Sequence, residues 1–122
     1  PPGVLVARGA PEIQATILAY ASVVSTVQVY SDFLTYRGGI YRRGGTVADS
    51  GLHGVTAVQL VGWGTEGGKR YWIGENSFGD AWGEGGYFRW VRGEDHLGIE
   101  RRALFGLVAG LAPLDRSADG HV

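Results

Sequence analysis

Glycine is the residue that most restricts how this chain can fold. It supplies 22 of the 122 residues, against an average usage of about 7%. The glycines stand in pairs such as Gly38-Gly39 and as single residues between short apolar runs, without a collagen-like period. Glycine weakens the interior of helices and strands but permits tight turns. The pattern therefore predicts short strands joined by tight turns.

One longer segment, residues 11–20, has the features of a helix. It opens on proline and glutamate, which suit a first helical turn, and Ile13, Ile17 and Tyr20 fall on one face. A short helical turn is also predicted at residues 31–36, where a Ser-Asp pair offers an N-cap.

The apolar segments between the glycines predict four or five strands. Residues 23–30 alternate valine with Ser, Thr and Gln, as in a strand with one buried face. Residues 55–61 are nearly all apolar or β-branched, which predicts a strand that is covered on both faces and ends at Gly62 and Gly64. Further strands are predicted at residues 71–74, 87–91 and 103–109, and residues 38–51 are predicted to be a loop with one short strand at most.

These elements predict an α+β, mainly β fold, a twisted antiparallel sheet or open barrel with one principal helix packed against one side. A length of 122 residues suits a single domain. No apolar run approaches the roughly 18 residues that suggest membrane insertion, and a net charge of −1 gives no field for nucleic acid. With zero Cys there is neither a disulfide framework nor a thiolate metal site, and neither a cofactor nor a metal is expected.

Two parts of the second half resemble a known family. Residues 54–64 read GVTAVQLVGWG, and residues 76–88 begin NSFG and end WGEGGYF. They are similar to the histidine strand and the asparagine turn of papain-like cysteine proteases. Residues 29–41 and 92–100 likewise resemble two segments of the cathepsin B-like subgroup.

The resemblance implies the right-hand, barrel-like domain of the papain fold over residues 12–110. Residues 1–11 are then an N-terminal extension and residues 111–122 a C-terminal tail, which is expected to fray after its proline. The chain begins Pro1-Pro2, which favours a processed product. The family resemblance also suggests a lysosomal, secretory-lumen or extracellular location.

The same resemblance locates the catalytic positions of the family. In the family a histidine opens the strand, and counting back from Gly64 places it at Thr56; the family asparagine corresponds to Asn76. The catalytic cysteine and the oxyanion-hole glutamine belong to the other domain of such enzymes. A threonine hydroxyl does not titrate near neutral pH, so it cannot relay the proton that an imidazole relays. The resemblance therefore implies negligible peptidase activity.

Four more positions are implied to line or support the cleft: Ala57, Phe78, Trp82 and Arg102. Phe78 stands where the family has a tryptophan over the His-Asn pair. Arg102 stands where cathepsin B has an acidic residue in its specificity pocket, so a preference for basic or aromatic side chains is expected to be altered. One set of aromatic residues is expected to pack in the core rather than to form a ligand platform: Trp63, Trp72, Trp82, Trp90, Tyr71, Tyr87 and Phe88.

Three local hypotheses concern polar groups. Asn76 is predicted to accept a hydrogen bond from the Thr56 hydroxyl, because a buried amide without partners costs about 1–3 kcal/mol. His53 is expected to be an exposed loop residue, and the alternative is that a shift brings it into the catalytic position. His96 lies beside two acids, Glu94 and Asp95, where a solvated or capping cluster is favoured over a metal site.

The sequence thus favours an inactive papain-like domain, a pseudoprotease kept as a structural or binding subunit. Its partner would be a left-hand papain-like chain or a larger assembly, because the face that normally packs on the cysteine domain would otherwise be exposed. Two alternatives remain open. One is the heavy chain of a processed cysteine peptidase whose light chain carries the cysteine, and the other is a binder that grips peptides without cutting them.

Overall fold

The computed structural model describes residues 4–44 and 51–106. Its strands are β1 (Val4–Ala7), β2 (Val23–Tyr30), β3 (Ile40–Tyr41), β4 (Leu52–Glu66), β5 (Lys69–Glu75), β6 (Tyr87–Val91) and β7 (Ala103–Gly106). Its helices are α1 (Gly9–Tyr20) and α2 (Ser31–Leu34), with a 3₁₀ turn at His96–Gly98. No helix among these residues is long and apolar enough to cross a membrane.

The strands form one sheet in the order β1-β7-β2-β4-β5-β6-β3. Every pair is antiparallel except β3 with β6, which is parallel. The order begins on β1 and ends on β3, so the sheet is open, and α1 is its one principal helix. The predicted fold class is confirmed.

The core lies between α1 and one face of the sheet. Ile13 and Ile17 of α1 are fully buried, as the helical spacing predicts, and Tyr20 packs its ring 5.1 Å from that of Phe105. Strand β2 alternates buried and exposed residues along most of its length, as predicted. Towards β6 the core becomes aromatic, with Trp72, Trp90, Phe33 and Phe88 all fully buried.

Strand β4 differs from its prediction in two respects. It does not end at Gly62 but continues to Glu66, because Gly62 pairs with Ile73 and Gly64 with Tyr71 of β5. Gly64 permits this pairing, since a Cβ there would meet the Tyr71 hydroxyl at 2.5 Å. The expected cover on both faces is also wrong: Val55 is 69% exposed, so one face of β4 is open in this chain.

Other differences are local. Strand β1, which the sequence does not predict, pairs with β7 over its whole length. Helix α2 ends at Leu34, and no side chain caps it, so the predicted Ser-Asp cap is wrong. Strand β7 is described only as far as Gly106; the predicted continuation to residue 109 and the tail lie outside the described residues. The boundaries at residues 12 and 110 stay predictions.

Candidate functional site

Thr56 lies in the middle of the sheet, on β4. It pairs with Val27 of β2, which is buried, and its side chain is half-buried on the same face as Val27 and Val58. Alternation along the strand places it there, since side chains two residues apart share a face. The position of Thr56 is therefore fixed by the pairing of β4 with β2 rather than by a loop.

Asn76 directly follows β5, whose last residue, Glu75, pairs with Gln59 of β4. This register brings the asparagine beside the part of β4 that contains Val58. Its backbone N–H donates to the Gly86 carbonyl at 3.2 Å, which anchors the turn. Thr56 thus lies on β4, and Asn76 lies directly after the neighbouring strand β5.

The predicted hydrogen bond between Thr56 and Asn76 is not formed. Asn76 Oδ1 instead accepts from the N–H of Ser77 at 2.7 Å. Asn76 Nδ2 is buried and has no hydrogen-bond partner in the described part of the chain. The backbone supplies a nearer donor for the carbonyl oxygen, so the amide nitrogen is the group left without a partner.

The aromatic residues after Asn76 support the turn. Phe78 is 49% exposed and meets the ring of Trp82 edge-on, with centroids 5.3 Å apart. Trp82 is half-buried, donates its indole N–H to the Leu34 carbonyl at 3.1 Å, and stacks edge-on against Phe33 at 5.1 Å. Phe78, by contrast, leaves half of its surface in solvent.

His53 stands at the start of β4, where the pairing with β2 has a bulge between Tyr30 and Val29. It is exposed as expected, but it lies on a strand rather than in a loop. Its Nε2 is 3.2 Å from Ser31 Oγ, and the Ser31 hydroxyl is also 3.2 Å from the Gly51 carbonyl, to which it donates. In the described residues His53 makes the bond with Ser31 and none with Asn76.

His96 belongs to a structural cluster. Its Nε2 accepts the backbone N–H of Arg43 at 2.9 Å. Burial, and next the nearby Arg42 charge, lower the pKa of His96. Glu94 instead pairs with Arg42, and Asp95 accepts from the Glu100 N–H at 2.9 Å, so both acids have partners other than the ring. In residues 4–44 and 51–106 no group of three or more His, Cys, Asp or Glu side chains is placed to hold a metal ion.

Ala57 and Arg102 lie on the open side of the sheet. Ala57 is exposed and pairs with Thr26 of β2. Thr26 and Arg102 line one cavity of about 440 Å³, together with Arg8 and Arg101. The sequence singles out Arg102 but not Arg8, because Arg8 reaches this region only through the unpredicted pairing of β1 with β7.

The chain matches the papain family cysteine proteases over residues 4–107. It is 42% identical to a gut-specific cysteine proteinase of Caenorhabditis elegans over 101 residues, and 46% identical to cathepsin B-like cysteine proteinase 1 of Ostertagia ostertagi over 96 residues. These matches cover 83% and 79% of this chain but only 30% and 27% of those proteins.

Solved structures agree with the sequence relatives. Procathepsin B S9 from Trypanosoma congolense superposes with a TM-score of 0.78 at 28% identity, over 93% of this chain and 36% of that one. Digestive procathepsin L 3 of Tenebrio molitor larval midgut gives a TM-score of 0.73 at 26% identity, over 87% and 35%. The chain thus spans about a third of the length of the proteins it matches.

Proposed function

This chain belongs to the papain family cysteine proteases, and we propose that it is a catalytically inactive member of that family, a pseudoprotease that serves as a structural or binding subunit. The observation that supports this proposal most is the residue that stands at the position of the family's catalytic histidine. Thr56 occupies the place in β4 where the family resemblance puts the catalytic histidine, and the Nδ2 of Asn76 has no partner among the described residues.

The chemical argument concerns proton transfer by the catalytic histidine. A cysteine peptidase needs an imidazole that holds the thiolate as an ion pair and then protonates the leaving amine. A threonine hydroxyl does neither, and general acid-base catalysis is worth about 10² to 10⁴ in rate. His53 does not fill the role, because it lies three residues before Thr56 and is hydrogen-bonded to Ser31 at the end of the β2–β4 pairing.

The proposed partner is a cysteine-bearing, left-hand papain-like chain. Support comes from a row of side chains on the open face of the sheet, in which Val6 pairs with Leu104 and Leu104 with Val24. Val6 is 37% and Val24 41% exposed, and Leu104 between them is half-buried. Apolar surface that continues across three strands is typical of an interface.

The activity test pairs the chain with the cysteine-bearing half of a cathepsin B-like proteinase. In a complex verified by co-elution, a fluorogenic cathepsin substrate should be cleaved no faster by the wild type than by Thr56→Ala. Thr56→His restores a ring nitrogen beside Asn76 and should raise the rate by at least about 10².

Two outcomes contradict the proposal. Cleavage by the wild-type complex would make this chain the working heavy chain of a processed peptidase, and loss of that cleavage in His53→Ala would identify an unexpected base. No gain in Thr56→His, with the complex intact, would show that Thr56 is not the vacant position.

The partner is tested separately. Val24→Lys and Val6→Lys place charges on the open face and should abolish co-elution with the cysteine-bearing half. Ala15→Lys is the matched control, because Ala15 is exposed on α1, away from that face. Unchanged co-elution of the valine variants would contradict this interface.

A further inference from the structure

Asn76 is the only asparagine among the 122 residues of the chain, and a serine follows it. The segment that begins there, residues 76–79, belongs to neither a helix nor a strand. Asn76 is half-buried, and the three residues after it are exposed. Solvent therefore reaches Ser77, while the backbone N–H of Asn76 is anchored to the Gly86 carbonyl.

The side-chain carbon of Asn76 lies close to the backbone nitrogen of Ser77. That N–H donates to Asn76 Oδ1 at 2.7 Å. Since a carbonyl oxygen is bonded to its carbon at about 1.23 Å, Asn76 Cγ lies less than about 4 Å from the Ser77 nitrogen. Reacting atoms are productively placed when they are about 3–3.5 Å apart. A small rotation of the side chain therefore brings Cγ within reach of the nitrogen.

The carboxamide of Asn76 has few restraints on such a rotation. Among the described residues, the Ser77 N–H donates to Asn76 Oδ1 and to no backbone carbonyl. The amide nitrogen, Nδ2, is buried and has no hydrogen-bond partner in the same part of the chain. An unsatisfied buried donor is a cost to the folded state. Loss of this nitrogen would therefore break no hydrogen bond within residues 4–44 and 51–106.

We propose that the Asn76-Ser77 pair is a site of spontaneous deamidation, a chemical modification that this fold promotes. The Ser77 nitrogen, after losing its proton to hydroxide, attacks Asn76 Cγ, and the new C–N bond closes a succinimide ring. The bond between Cγ and Nδ2 breaks, and the nitrogen leaves as ammonia with a proton taken from water. Water then opens the ring at either carbonyl, which yields aspartate or isoaspartate at position 76.

Either product changes the turn that follows β5. Both replace a neutral carboxamide by a carboxylate, and isoaspartate also lengthens the backbone by one methylene group. The added length falls between two contacts that hold the turn. One is the bond of the Asn76 N–H to the Gly86 carbonyl at 3.2 Å, and the other is the edge-on contact of Phe78 with Trp82 at 5.3 Å. The modification therefore alters the candidate site without an enzyme.

The test is incubation of the full 122-residue chain at pH 8 and 37 °C, with the intact mass followed by mass spectrometry. Deamidation replaces an NH group by oxygen, so the chain gains mass. The folded chain should gain mass at least as fast as the same chain unfolded in guanidinium chloride, and faster at higher pH. A slower gain in the folded chain would overturn the proposal, because the fold would then protect the asparagine.

Two variants identify the reacting atoms. Asn76→Gln should abolish the mass gain above the background of the other glutamines, because its longer side chain closes a less favourable ring. Ser77→Pro removes the N–H that must lose its proton and should have the same effect. Peptide mapping of the wild type should find isoaspartate as well as aspartate at position 76. A mass gain that persists in Ser77→Pro, or aspartate without isoaspartate, would mean direct attack by water and would contradict the ring closure.

The same dipeptide on a regular strand is the matched control for the role of the fold. Val24→Asn, made in the Asn76→Gln background, places an Asn-Ser pair on β2, where residue 24 pairs with Gln59 of β4 and Leu104 of β7. Because the ladder holds that backbone extended, this variant should gain mass more slowly when folded than when unfolded. An equal ratio of folded to unfolded rates at the two positions would overturn the claim that the turn after β5 promotes the reaction.

This result does not depend on the proposed function. Because deamidation is measured without the cysteine-bearing half, cleavage in the earlier assay would overturn the proposed inactivity and leave this result standing.

Discussion

The indole N–H of Trp72 donates to Glu100 Oε2 at 2.9 Å, and both side chains are buried. The same oxygen accepts the Gly93 N–H at 2.6 Å, and Oε1 accepts from Asp95. One carboxylate thus satisfies donors from β5 and from the turn that carries the arginines of the cavity. The sheet core and the cavity wall are joined at this group.

Glu100→Ala should therefore lower the free energy of unfolding by about 3–5 kcal/mol, because it leaves the buried Trp72 N–H and two part-buried backbone N–H groups without their acceptor. Urea denaturation followed by tryptophan fluorescence measures this. Glu75→Ala is the control: Glu75 is exposed at the end of β5 and should change stability by less than about 0.5 kcal/mol. Equal effects of the two substitutions would show that the Glu100 bonds contribute little.

Besides the amide nitrogen of Asn76, the hydroxyl of Ser25 is a second buried polar group without a hydrogen-bond partner among the described residues. Ser25 is 0% exposed on β2, opposite Val58 and Ala103, and its hydroxyl has no hydrogen-bond partner in the described residues. A buried hydroxyl without a partner costs about 1–3 kcal/mol. Ser25→Ala removes that cost and should raise the free energy of unfolding by about 1 kcal/mol.

Ser22→Ala provides the contrast to Ser25→Ala, since the Ser22 hydroxyl accepts from Gln59 Nε2 at 2.9 Å. Its removal should leave stability unchanged or slightly lower. Thermal unfolding of both variants gives the comparison. A loss of stability in Ser25→Ala would mean that the hydroxyl has a partner in solution.

Local pattern was sufficient for some elements and insufficient for others. The buried face of α1 at Ile13 and Ile17 follows from helical period, and β2 follows from alternation, since both depend on neighbouring residues only. The extension of β4 through Gly62 does not, because it depends on a partner strand and a bulge after Leu60. From the sequence alone, a glycine that ends a strand cannot be distinguished from a glycine that allows an aromatic ring to approach the backbone.

The candidate site was likewise predicted in part from the sequence and missed in part. Thr56 and Asn76 were located by resemblance; the structure places Thr56 on β4 and Asn76 directly after β5, and their correspondence to the catalytic positions stays a prediction. The hydrogen bond predicted between them is not formed, because the backbone N–H of Ser77, one residue away, donates to the amide oxygen instead. The arginine cavity was missed because Arg8 and Arg102 meet only after β1 pairs with β7.

The third prediction concerns the close packing of Gly74 against the ring of Phe88. Gly74 of β5 pairs with Phe88 of β6, and a Cβ at Gly74 would meet the Phe88 ring at 2.2 Å. Phe88 is fully buried against Phe33, with centroids 5.2 Å apart, so its ring has no free space to move into.

Gly74→Ala should therefore lower the free energy of unfolding by about 1–3 kcal/mol, as over-packing of a core does. Gly44→Ala is the matched control, because nothing lies within 4 Å of a Cβ there. Chemical denaturation measures both. An unchanged midpoint in Gly74→Ala would show that β5 and β6 separate easily.

The fourth prediction concerns pH and His96. Burial is the main cause that lowers the pKa of His96; Arg42 and Arg43 lower it as well, while Glu94 and Asp32 oppose them. The folded chain thus binds the proton less readily than the unfolded chain, whose histidine has a pKa of about 6.5. Stability from this group is present above about pH 6.5 and is lost as the pH falls through the lower folded value.

His96→Gln tests this directly, because a glutamine oxygen can still accept the Arg43 N–H that Nε2 accepts at 2.9 Å, yet it does not titrate. Between pH 7.5 and pH 5, the free energy of unfolding of the wild type should fall more steeply than that of His96→Gln. Urea titrations at four pH values supply the slopes. Parallel slopes would mean that His96 takes up its proton equally in both states, and the ring would then be solvated rather than packed beside Tyr41 and Trp90.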